Sequence, residues 1–137
     1  MEQPNGRKII LKFNNKLQPI GDEVGLLSGI LSLLGADYGK FSIYEESWKM
    51  ITIKDKVYNN CIKQIFHFDE DIGRTIKKTI LKSIGKFWKD NRLRLYDDYY
   101  DPKSTIEQNI EKRPLEIDRE HWRWLTNRFF ASKEFHK

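Results

Sequence analysis

Hydrophobic and polar positions change their rhythm several times along this chain, and each change marks an element. Lys8-Ile9-Ile10-Leu11-Lys12-Phe13-Asn14 is a short β-favouring run, closed by the turn chemistry of Asn14-Asn15 and then of Pro19-Ile20-Gly21-Asp22. Val24 to Leu34 is the most apolar stretch and predicts a short helix, with Gly35 and Gly39 bracketing its end. Thr52 is placed to cap the next helix, with Asp55 at the capping-box position. Ile53, Val57, Cys61, Ile62, Ile65 and Phe66 then follow at helical spacing. His67-Phe68-Asp69-Glu70-Asp71 breaks that pattern and supplies acids suited to the start of another helix.

From Ile72 to about Leu95 the periodicity is clearest, with apolar residues at Ile72, Ile76, Ile80, Leu81, Ile84, Phe87, Trp88 and Leu95. Gly85 weakens this helix by about 1 kcal/mol relative to Ala. Asp97-Asp98-Tyr99-Tyr100-Asp101-Pro102 ends it, because Pro102 blocks continuation. Lys103 to Pro114 is polar and reads as a long loop. Asp118 is expected to cap a last helix in which Trp122, Leu125 and Phe129 share one face. The four Trp, at 48, 88, 122 and 124, are spaced like core anchors. The expected fold is mainly α: a small helical bundle with a short N-terminal strand and turn segment over residues 1–23. Residues 24–137 form the helical part, in one domain overall.

Composition narrows the class. At 137 residues the chain is one domain's worth, and four Pro with eight Gly are too few for a low-complexity chain. Aromatics at 13% are too many for a solvated tail. One Cys excludes a disulfide framework and a Cys-based zinc site. The start shows no apolar run of the length a secretory leader needs, and Val24–Leu34 falls well short of the ~20 residues of a membrane span. The expectation is an intracellular protein that does not engage a membrane.

Charge changes the picture most. The net charge of +5 is unevenly spread: residues 74–94 hold eight basic residues and the single acid Asp90, a net +7, so the rest of the chain sums to −2. At ~100° per residue, Arg74, Lys78, Lys82, Lys86, Lys89 and Arg92 fall within one arc of roughly 120°, opposite the apolar positions. Lys77 adds to the basic content of the helix. Like charges at i, i+4 cost ~0.2–0.5 kcal/mol each in an isolated helix, a cost that polyanion binding would offset. A lysine-rich helix face is also what an ordinary solvated surface looks like. The functional expectation is DNA bound at Arg74, Lys77, Lys78, Lys82, Lys86, Lys89 and Arg92, with Asn91 or Arg92 as the side chains able to reach base edges.

Signatures of catalysis are missing. Gly39-Lys40-Phe41 and Gly85-Lys86-Phe87 lack the upstream Gly and following Ser or Thr of a phosphate-binding loop. His67, His121 and His136 lack metal-ligand spacing. Asp69-Glu70-Asp71 and Asp97-Asp98 with Asp101 sit at helix ends, where a two-metal site is not expected. No enzyme activity, cofactor, metal or small-molecule substrate is expected.

With these residues laid out, the chain resembles the plant transposase domain family named for Ptta/En/Spm elements, which are CACTA-type DNA transposons. The similarity runs from about Lys8 to the C-terminus. It includes the turn Lys16-Leu17-Gln18-Pro19-Ile20-Gly21, with Leu17 where a Gly is usual, and the segment Trp48-Lys49-Met50-Ile51 leading into a helix that closes at Ile65-Phe66-His67-Phe68-Asp69. Its most specific block is Ile80-Leu81-Lys82-Ser83-Ile84-Gly85-Lys86-Phe87-Trp88-Lys89-Asp90-Asn91-Arg92-Leu93-Arg94-Leu95. Arg113-Pro114, Ile117, Glu120-His121-Trp122, Leu125 and Arg128-Phe129 complete it.

The resemblance implies a nuclear, transposon-derived accessory module that binds element DNA or assembles with a separate catalytic transposase. Lys82, Lys86, Lys89 and Arg92 lie inside the matched block, whereas Arg74, Lys77 and Lys78 rest on the charge argument alone. Two alternatives stay open. One is a protein-interaction or self-association domain using Trp124, Phe130 and Phe135. The other is an inactive transposon remnant, because family members continue beyond the position of Lys137 into a polar, basic extension.

Overall fold

The short apolar run at the start is split in two by its own alternation. The computed structural model describes residues 8–16, 18–68 and 70–135, with side chains described except at 70–74 and 130–135. Strands β1 (Ile9–Ile10) and β2 (Lys12–Phe13) flank Leu11, whose side chain is buried. β2 pairs antiparallel with β3 (Pro19–Ile20), setting Lys12 opposite Ile20 and Phe13 opposite Pro19. The Asn14 carboxamide holds the turn between them, its Oδ1 accepting from the backbone N–H groups of Lys16 and Gln18 at 2.9 Å each. Gly21, with φ of 97°, then takes a left-handed conformation that a side chain would strain and leads the chain into α1 (Val24–Gly35).

The second helical stretch is less regular than its spacing suggests. A 3₁₀ turn at Trp48–Met50 precedes α2 (Lys54–Val57), a π-helical turn at Tyr58–Ile62 and α3 (Lys63–Ile65). Thr52 does not cap it: the helix opens at Ile53 with no side-chain cap. The wide π turn moves the inward position from Cys61 to Ile62. Val57, Tyr58 and Ile62 are therefore buried, and Cys61 is half-buried at the edge. β4 (Phe66–His67) follows and pairs parallel with β1, Ile9 opposite Phe66, which ties the N-terminal segment to the rest of the fold.

α4 (Glu70–Tyr99) spans 30 residues and is the axis on which the molecule is built. α1 lies along it, and α5 (Ile106–Glu111) and α6 (Arg119–Phe135) gather at its far end. Residues 103–114 are not one irregular loop. Thr105 and Gln108 form a reciprocal capping box that nucleates α5. Asp118 does cap α6, its Oδ1 accepting from Glu120 and His121 backbone N–H groups at 2.9 and 3.2 Å.

Two cores result. The larger joins Leu11, the inner face of α1, Phe41, Trp48 and the first half of α4 from Ile76 to Trp88. The smaller joins Ile43, Ile117, Trp122 and Leu125, with Leu95 and Phe129 packed against it. Trp48, Trp88 and Trp122 are buried anchors, and Trp124 is half-buried at the rim. The architecture is mainly α, a small helical bundle with short N-terminal strands. Among the described residues no helix is long and apolar enough to cross a membrane.

Candidate nucleic-acid interface

Four-residue steps along α4 define its surfaces, because each step rises ~6 Å and turns ~40°. Ile76, Ile80, Ile84, Trp88, Arg92 and Tyr96 form one such row, and all six are buried. Two residues further on, and so nearly opposite, run Lys78, Lys82, Lys86, Asp90, Arg94 and Asp98, and all six are exposed. The exposed row is purely cationic in its first half and of alternating sign in its second. Lys89 lies beside it on a flanking row and is also exposed.

The expected basic residues therefore separate into three groups. Lys78, Lys82, Lys86 and Lys89 are exposed together, and none forms an ion pair among the described residues. Lys77 departs from them. It turns toward α2, where its Nζ lies 3.0 Å from an Asp55 carboxylate oxygen and 5.2 Å from the centre of the Tyr58 ring. Arg74 carries a side chain outside the described residues.

Arg92 departs furthest. Only 5% of it is exposed, and its guanidinium donates to the Ile43 and Glu45 carbonyls at 2.9 and 2.6 Å while stacking 3.9 Å from the centre of the Trp88 ring. Burial, with the nearby Arg128 charge, lowers its pKa to about 10, so it stays charged at neutral pH. The wheel grouped it with the lysines because it shares an angle with Arg74. Its i−4 and i+4 neighbours, Trp88 and Tyr96, are what place it inside. Asn91 is half-buried on the other flank, so neither side chain named for base contact stands on the lysine face.

Spacing gave no sign of what shapes that face from outside α4. Gly85 lies between the buried row and the lysine row, and a β-carbon there would sit only 2.6–2.7 Å from the Trp48 indole. The glycine lets the 3₁₀ turn settle directly on the helix, next to Lys82 and Lys89, its i−3 and i+4 neighbours. Over that indole stands Lys54, its Nζ 5.3 Å from the ring centre. The spacing marks Trp48 as a core anchor and gives no sign of Lys54.

The C-terminal aromatics behave differently from an open contact patch. Tyr44 stacks on His121 at 5.0 Å and leans on Trp124 at 5.2 Å, and Arg128 covers Trp124 at 5.5 Å. Arg128 also reaches Glu46 at 3.4 Å. These contacts fasten the 42–47 segment to α6. The side chains of Phe130 and Phe135 lie outside the described residues. Among the described residues no group of His, Cys, Asp and Glu could hold a metal ion.

No protein-family model, no curated protein and no solved structure matches the chain.

Proposed function

We propose that this chain is a non-catalytic module that binds duplex DNA along the first half of α4. By its resemblance to the Ptta/En/Spm family it is a transposon-derived accessory protein that works in the nucleus beside a separate catalytic transposase. The observation that carries the binding reading is the row Lys78, Lys82 and Lys86 with Lys89 beside it: four exposed ammonium groups without ion-pair partners among the described residues. Clustered like charges disfavour the isolated helix, and phosphates that release counterions reverse the sign of that cost. Lysine ammonium groups act as point charges on flexible stems, and with Arg92 committed inside, the face offers contacts to phosphates without readout of base edges.

Fluorescence anisotropy with a labelled 20-base-pair duplex tests this. The four α4 contacts alone contribute about −3.6 to the slope of log K against log salt, so affinity is expected to fall at least roughly a hundredfold between 50 and 200 mM salt. The quadruple variant Lys78→Glu, Lys82→Glu, Lys86→Glu, Lys89→Glu is expected to abolish binding while the helical circular-dichroism spectrum is kept. Wild-type binding retained by that variant, or no binding by the wild type at low salt, would refute the proposal.

A further inference from the structure

Resting on that reading, we infer that the phosphate-contacting surface is built from two elements, and that Lys54, carried over Trp48 onto α4, is a fifth phosphate contact. Three placements lead to it. The Trp48 indole fills the space where a side chain at position 85 would stand, so the 3₁₀ turn is fixed against the helix beside Lys82 and Lys89. Lys54 is then fixed relative to the indole, because its ammonium lies over the ring at 5.3 Å. Asp55, the acid next to Lys54 in sequence, is paired with Lys77 at 3.0 Å, and among the described residues it forms no ion pair with Lys54 or with Lys78, Lys82, Lys86 and Lys89. A cation held on a buried aromatic ring loses less side-chain freedom on binding than one on a bare flexible stem, since the ring already restricts it. Trp48 and Gly85 are thus positioning residues for Lys54.

Titration of labelled duplexes of two unrelated sequences, each at several salt concentrations, separates this inference from the reading beneath it. Lys54→Gln is expected to lower affinity several-fold at low salt and to make the salt slope shallower by about 0.9, the amount for one lost phosphate contact, equally for both duplexes. Lys54→Arg, which keeps the charge and the ring contact, is expected to restore both affinity and slope. Lys56→Gln, an exposed neighbour not seated on the ring, serves as the control and is expected to leave the slope unchanged. Wild-type binding with an unchanged slope in Lys54→Gln would overturn the role of Lys54 and leave the α4 lysines standing. An equal slope change in Lys56→Gln would show a diffuse charge effect and would also overturn it. Absence of wild-type binding would overturn both.

Discussion

Arg92 carries a positive charge into the interior, where the groups that meet it are carbonyl dipoles and aromatic faces. Two carbonyls from the 43–45 segment accept its protons, Trp88 covers one face, and Phe129 stands 5.7 Å from it on α6. Among the described residues its Nε has no hydrogen-bond partner, so burial is incompletely compensated. The side chain acts as a clamp, pinning to α4 a segment that has little helix or sheet of its own. Replacing it with Ala leaves two carbonyls without their donor and uncovers Trp88. Arg92→Ala is expected to cost on the order of 2–4 kcal/mol in urea denaturation, less whatever is regained by removing a buried charge. Affinity for DNA per folded molecule is expected to be unchanged. Reduced affinity at unchanged stability would instead place Arg92 on the binding surface.

Element packing depends on which glycines are crowded. Gly35 at the end of α1 faces Phe87 Cβ, the Trp88 amide nitrogen and the Ile84 carbonyl, and a β-carbon there would sit at 2.5, 3.0 and 3.1 Å from them. Gly85 meets Trp48 in the same way, whereas a β-carbon at Gly25 or Gly29 would meet nothing within 4 Å among the described residues beyond the helix's own backbone. Gly35→Ala and Gly85→Ala are therefore expected to destabilise by ~1–3 kcal/mol through overpacking. Gly25→Ala and Gly29→Ala are expected to stabilise by ~0.5–1 kcal/mol each through helix propensity, all four read from thermal melts. From sequence, Gly85 reads as a weak point in a helix and its packing role is hidden, because the residue it accommodates lies far away in the chain. The same limit explains Arg92 and Lys77. A wheel gives the angle of a side chain but not which partner covers that angle at each turn, and α4 changes partners along its length. α1, the frame of α4 and the Asp118 cap were legible because each is set by local spacing. The box Thr105-Ile106-Glu107-Gln108 was equally local and was obscured by the polarity around it. The π turn that displaced Cys61 leaves no mark in the spacing.

At the scale of the whole molecule, the carboxylates whose pKa is lowered by their hydrogen bonds sit in the connections between helices. Asp37 accepts from Lys40 after α1, Asp101 accepts from Lys103 and Ser104 between α4 and α5, and Asp118 accepts from Glu120 and His121 at the start of α6. These bonds favour the ionised carboxylates and hold all three below the ordinary 3.8. A carboxyl with a lowered folded-state pKa stabilises the fold above its unfolded value and loses that contribution as pH falls through the folded one. Stability is therefore expected to be level from pH 6 to about 4 on this account and to decline below 3.8. Protonation also drives the net charge above +5, which adds self-repulsion in the same direction. Asp118→Asn keeps an oxygen acceptor at the cap but removes the titration. Its melting midpoint, followed at 222 nm between pH 6 and 2, is expected to fall less steeply than that of the wild type, with little difference at pH 6. Parallel declines in the two proteins would mean that the cap of α6 does not contribute to acid sensitivity, and that the burden lies on Asp37, Asp101 and general charge repulsion.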